Sequence, residues 1–191
     1  MRLFLFLIIV FNLQSCAVPI LGGVGAIAIS STAQEKGLGT SINDKVIYLK
    51  LRNAIYEWNS SVSQKISISV DGGSILVTGQ LKNVDTKIEL TKIIWEVNGV
   101  KEVNNKVQIS ETNNLKNIAK DLASLGEIKA RLMASKKLNS LNYSIDVVNN
   151  IAYISGIASS EEEISIVTQI VQEARFIKEV QNFVKVNKDK R

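Results

Sequence analysis

Very few side chains in this sequence suit covalent or acid–base chemistry. There is one cysteine, Cys16, and no histidine among 191 residues. The commonest general base and metal ligand is therefore missing, and a lone thiol forms neither an internal disulfide nor a cysteine metal cluster. Cys16 closes the tetrapeptide Leu13-Gln14-Ser15-Cys16, with a small residue just before the thiol. The run Glu161-Glu162-Glu163 falls where a helix begins, and carboxylates in a first turn complement the helix dipole. No Gly-rich phosphate loop, nucleophile elbow or metal-ligand spacing occurs. The residue types point away from an enzyme: no catalytic residue, metal or cofactor is expected. The chemistry left is that of one lone thiol and the pairing of lysines with anions.

Around Cys16 the sequence reads as an address. Met1-Arg2 supplies a positive start, and Leu3 to Phe11 is an apolar run of nine residues. That suits the core of a signal peptide and is too short to span a bilayer as a helix. The four residues ending at Cys16 resemble the lipobox of bacterial lipoproteins, with Gln14 departing from its usual small or apolar residue. The resemblance implies a signal peptide over residues 1–15, cleavage before Cys16, and acyl chains (palmitate among them) on the new terminus. Each buried methylene contributes about 0.8 kcal/mol, and more than one chain is needed for firm anchoring. Ala17 follows rather than Asp, which by the lipoprotein sorting rule implies the outer membrane of a Gram-negative cell, facing the periplasm. Residues 16–40 read as a lipid-anchored tether. Ala17 to Ile29 is apolar and rich in small residues, and Ser30 to Thr40 is polar.

Beyond the tether the chain repeats itself. Ile68, Val70, Gly79, Lys101, Glu102, Val103, Asn105 and Val107 stand 77 residues before Ile145, Val147, Gly156, Lys178, Glu179, Val180, Asn182 and Val184. Each copy predicts helix, strand, strand, helix, strand. In the first, Leu51 and Ile55 form an i, i+4 pair, and Asp71-Gly72-Gly73 turns one alternating strand into another. Leu90, Ile93, Ile94 and Val97 then form a second helical stripe. In the second copy, Leu125, Ile128 and Leu132 lead to a turn at Asn149-Asn150. Ser160 and Glu163 have capping-box spacing, and Ile164, Val167, Ile170, Val171 and Ala174 make the stripe. Trp58 is expected to cap the first core. Trp95 lies off its helix stripe and is expected to pack ordinarily, the alternatives being a domain contact or an interfacial anchor.

This order, the glycines Gly79 and Gly156, and the segments Val97-Asn98-Gly99-Val100-Lys101-Glu102-Val103 and Ile177-Lys178-Glu179-Val180 resemble the BON domain. Two copies behind a lipobox resemble the dual BON-domain outer-membrane lipoproteins. The resemblance implies an α+β fold of two tandem BON domains, each α-β-β-α-β with a small mixed three-stranded sheet packed against two helices. The expected divisions are residues 41–110 and 117–187, a linker at 111–116 and a charged tail at 188–191. Phe176 stands where the first copy has Gly99, so the loop before the last strand is expected to differ there. The resemblance also implies binding of anionic phospholipid at the inner leaflet of the outer membrane, through the first helix of the second domain, in support of membrane integrity.

That helix has a second, weaker face. Ala123, Gly126, Ala130 and Met133 recur at i, i+3, i+7 and i+10, flanked by Lys129 and followed by Lys136 and Lys137. Small residues permit close approach, Met133 suits shallow insertion, and lysines pair with phosphate. These seven are the candidate phospholipid-binding residues. The alternatives are a solvated face, or a face packed on the first domain. The net charge of +5, from 23 Lys+Arg against 18 Asp+Glu, is a mild basic bias that would suit an anionic membrane surface or nucleic acid and is also common in soluble domains. Of the two, the membrane is the expected partner, with no nucleic acid. The rival function is a periplasmic adaptor that docks envelope protein partners or a secretion assembly.

Overall fold

The computed structural model describes residues 38–111 and 115–187. Cys16, the signal segment, most of the tether and the charged tail lie outside these residues. The first copy runs α1 (Leu38–Trp58), a single turn α2 (Ser60–Ser63), β1 (Ile66–Asp71), β2 (Ser74–Leu81), α3 (Val84–Glu96), β3 (Glu102–Asn105) and a two-residue β4 (Gln108–Ile109). The second runs α4 (Leu115–Ala134), a 3-10 turn (Ser140–Asn142), β5 (Tyr143–Val148), β6 (Ile151–Ala158), α5 (Glu161–Gln172) and β7 (Glu179–Val186). Each is the expected α+β unit. In both, the first two strands are an antiparallel hairpin and the last strand joins the second in parallel, giving the orders β1-β2-β3 and β5-β6-β7. The first copy differs by a break in its closing strand, after which β4 pairs separately with β2.

The helices cover one face of each sheet. Leu51, Ile55, Leu90 and Ile94 meet Ile75 and Val77 in the first core, all fully buried. Ile128, Leu132, Val167 and Val171 meet Ile154 and Ala152 in the second. The hairpin turns take positive φ at both central residues, 63° and 83° at Gly72 and Gly73, and 50° and 65° at Asn149 and Asn150. That geometry matches the right-handed twist of the strands. Gly79 and Gly156 sit where a neighbouring chain passes. A Cβ there would lie 2.2 Å from the Lys65 carbonyl oxygen or 2.1 Å from that of Asn142.

The opposite faces of the two sheets pack on each other. Strand alternation sends Ser69, Leu76 and Thr78 away from the first core, and Asp146, Tyr153 and Ser155 away from the second. Ser69 Oγ meets Ser155 Oγ at 2.6 Å, and the Thr78 hydroxyl donates to Asp146. At an offset of 77 these two contacts are the same contact with the domains exchanged. Leu76 packs on its own counterpart Tyr153, beside Val148. The domains are therefore related by a pseudo-two-fold axis, in layers of helices, sheet, sheet, helices. At the rim, Lys185 Nζ pairs with Glu102 at 2.5 Å, and Gln108 donates to the Val148 carbonyl and to Tyr153 Oη at 3.2 and 3.1 Å. Lys106 stands over the Phe183 ring at 5.3 Å.

Three expectations are corrected. Trp58 does not cap the core: it is 37% exposed at the last residue of α1. Trp95 is not ordinarily packed either, at 52% exposed. The Phe176 loop keeps the left-handed conformation of its counterpart, with φ 65° against 103° at Gly99. A Cβ on Gly99 would stand 2.9 Å from Ile47, but the residue in the matching place in the second domain is Ser124, which leaves room for Phe176.

Candidate functional site

Helix α4 carries five of the seven candidate residues, and a buried aspartate holds it to its sheet. Asp121 accepts the backbone N–H groups of Asn149 and Asn150, both at 2.8 Å. The first copy repeats the device: Asp44 accepts from Gly72 and Gly73 at 2.9 and 3.0 Å. Each carboxylate thus ties a first helix to the tip of its own hairpin and satisfies two turn amides. These residues have no role assigned from sequence alone, although their identity at the repeat offset is a signal for them. Two turns further along the helix, Glu127 accepts the backbone N–H and Nε of Arg175, both at 3.2 Å, in the loop that meets the same hairpin tip. Those bonds, aided by Arg131, hold the Glu127 carboxyl below its ordinary value.

With Ile128 and Leu132 inward, the opposite side of α4 is left outside. Ala123, Gly126, Lys129, Ala130 and Met133 are all exposed, Met133 to 77%. Apart from its two neighbours and the backbone of its own helix turn, no atom lies within 4 Å of the place a Gly126 Cβ would take. Gly126, Ala130 and Met133 form one surface with Ala123 at its edge. Lys129 lies on the other edge, where it also lines the groove between the sheets with Ser69, Thr78 and Asp146. Burial pushes the Asp146 carboxyl up, against the pull of the Thr78 hydroxyl, the Val147 amide and the Lys129 charge. Lys136 and Lys137 are exposed beyond the helix end, in a bend rather than on the face. Arg131 does not join this set, being tied to Glu127 and Glu173 at 2.7 and 3.4 Å.

The structure adds three residues to this surface. Leu115, Ile118 and Leu122, at i, i+3 and i+7, are 80%, 40% and 65% exposed. They extend the side bearing Gly126 and Met133 toward the start of the helix. Their spacing was visible in the sequence but lies off the core stripe. The resulting surface is apolar along its centre and basic at one edge and one end. It can lie in a lipid interface or cover a hydrophobic partner. Among the described residues no group of three His, Cys, Asp or Glu side chains could hold a metal ion, and no helix is long and apolar enough to cross a membrane.

Comparison with known proteins identifies the scaffold. The family model of the BON domain matches twice, over residues 43–111 and 125–188. The chain belongs to the BON-domain family. An uncharacterized protein in the gshII 5′ region of Anaplasma centrale is 30% identical over 150 residues, 78% of this chain and 98% of that one. The outer membrane lipoprotein DolP of Haemophilus influenzae is 25% identical over 146 residues, covering 75% of each chain. Osmotically-inducible protein Y of Escherichia coli is 24% identical over 150 residues, 78% of this chain and 75% of its own. Among solved structures, CdsD, a structural protein of the type III secretion system of Chlamydia trachomatis, aligns with a TM-score of 0.30 and 18% identity. That alignment covers 75% of this chain and 63% of CdsD, so the chain spans less than two thirds of that solved chain.

Proposed function

We propose that this BON-domain protein is a lipoprotein of the bacterial outer membrane, acylated on Cys16 and facing the periplasm. Its second domain binds anionic phospholipid through α4, and its role in maintaining the membrane is non-catalytic. The observation that carries the reading is the outward side of α4, where Leu115, Leu122 and Met133 are all more than half exposed. A soluble domain does not ordinarily leave a continuous apolar stripe in water. Lysines at its margin suit phosphate headgroups, each adding about 1 kcal/mol near an anionic surface. The lipobox-like Leu13-Gln14-Ser15-Cys16 and the 25% identity to a protein named as an outer membrane lipoprotein support the location.

Vesicle sedimentation of the Cys16→Ser chain tests the lipid reading. Preferential binding to phosphatidylglycerol over phosphatidylcholine is expected, with loss when Lys129→Ala, Met133→Ser and Lys136→Ala are combined. Equal binding to both lipids, or no effect of the triple change, refutes it. Incorporation of radioactive palmitate into the wild type but not Cys16→Ser tests the anchor.

A further inference from the structure

The first domain carries its own outward helical stripe, and it is bulkier than that of the second. On α1, Ile42, Val46, Leu49 and Tyr56 are 51%, 45%, 65% and 60% exposed. At the repeat offset they replace Ala119, Ala123, Gly126 and Met133. They lie opposite the side that buries Ile47, Leu51 and Ile55, so no part of the first core needs them. Four large apolar side chains in water on one helix, where the sister helix has mostly alanine and glycine, call for a partner.

We propose that this face of α1 is a second lipid-docking surface, which rests on the membrane reading given above. Two observations favour a bilayer as its occupant. The first is charge. Lys45 and Lys50 are exposed and flank the stripe, whereas Asp44 is turned inward on the hairpin and Glu57 accepts a hydrogen bond from Asn53 at 2.9 Å near the far end. An apolar stripe edged with lysine has the composition of a helix lying in an anionic interface. The second is position along the chain. The helix begins 22 residues after Cys16, and the intervening sequence includes the apolar run Ala17 to Ile29. A short leash to an acylated residue keeps the nearest helix at high local concentration beside the bilayer, so even a weak face is occupied. The sheets pack back to back, so the stripes of α1 and α4 point to opposite outer sides. One flat membrane takes one of them at a time.

The test uses the full acylated chain in vesicles containing phosphatidylglycerol, with an environment-sensitive fluorophore on one introduced cysteine. Acylated Cys16 does not take the label, and the parent chain controls for that. The sites are Leu49→Cys on α1 and Met133→Cys on α4, and the readout is quenching by spin-labelled phospholipid. Quenching at position 49 is expected, and it falls by about tenfold when Ile42→Ala and Val46→Ala are added. Quenching at 133 but not at 49 overturns the proposal and leaves the second-domain reading standing. Quenching at 49 alone supports the proposal and removes the second-domain reading. Quenching at neither overturns both. Quenching at 49 that survives the two alanines also overturns the proposal, because the stripe would then not be the cause.

Discussion

Replacing Asp121 should loosen the helix that carries the candidate surface. Its two oxygens each accept one backbone N–H of the Asn149-Asn150 turn at 2.8 Å, and the carboxylate is buried. Hydrogen bonds to a charged group contribute roughly 1.5–3 kcal/mol each, and a buried amide left unpaired costs about 1–3 kcal/mol. The Asn150 amide is buried, whereas that of Asn149 is only partly so. One amide in Asp121→Ala thus loses its partner outright and the other exchanges it for water, for a total of about 3 kcal/mol. For a chain of this length each kcal/mol moves the midpoint by about 2–4 °C, so a fall of roughly 6–12 °C is expected. Asp121→Asn keeps one acceptor oxygen and is expected to lose about half as much. Urea and thermal unfolding by circular dichroism measure the totals, and amide hydrogen exchange at Asn149 and Asn150 reads the local effect. A cost below about 1 kcal/mol for Asp121→Ala, or unchanged exchange at those two amides, refutes the clamp.

Other perturbations follow from the same geometry. Gly156→Ala drives a Cβ to 2.1 Å from the Asn142 carbonyl oxygen at φ 147°, so a loss of about 3 kcal/mol in urea unfolding is expected. Phe176→Gly releases about 1 kcal/mol of left-handed strain but frees the unfolded chain by a similar amount, leaving stability nearly unchanged. Gly99→Ala, facing Ile47 at 2.9 Å, costs more than 1 kcal/mol by the same assay, and equal effects at the two positions would be inconsistent with the loop comparison. Glu102 is held down to about 2 by Lys185, with help from Asn104 and Ser74. A carboxyl depressed in the fold contributes stability above its ordinary value of 4.5 and loses it as pH falls toward 2. The pair is about half exposed, so solvent holds the effect below about 1 kcal/mol, and Glu102→Gln should flatten the acid limb of stability against pH by that much. Asp146 has the reverse sign. Its raised value disfavours the fold at pH above that value, and the penalty is relieved as pH falls, so Asp146→Asn should remove a pH dependence opposite to that of Glu102.

The element order was readable because the two periodicities are clean: Ile66, Ile68 and Val70 alternate, and Leu125, Ile128 and Leu132 keep to one helical side. The repeated asparagines were visible as identities, but their role was not. Asn105 and Asn182 each donate to a threonine of the preceding helix, Thr91 at 2.8 Å and Thr168 at 2.7 Å, and tie the closing strand to it. The domain interface escaped for a physical reason. Ser69, Thr78, Asp146 and Ser155 look like the watered side of an alternating strand, and a sheet face that pairs hydroxyl with hydroxyl or carboxylate has the same composition as one that faces solvent. Trp58 and Trp95 misled in the opposite way, since large aromatic side chains invite a core assignment. The outward stripes of α1 and α4 were partly missed because the stronger core stripe of each helix absorbs the eye. Of the candidate residues, the five on α4 fall on its outer side, and Lys136 and Lys137 lie beyond it because the helix stops at Ala134.

The exchange-symmetric contacts between the sheets bear on assembly. A patch that binds a near copy of itself is the signature of a homodimer, here drawn into a single chain. In an exchanged pair the first half of one molecule would meet the second half of another with the contacts it makes within its own chain, so the connection around residues 111–115 favours the internal partner by effective concentration. Stretching that connection weakens the preference, and crowding on a membrane then favours domain-swapped pairs. Such a pair preserves every buried serine and threonine contact while doubling the number of anchors.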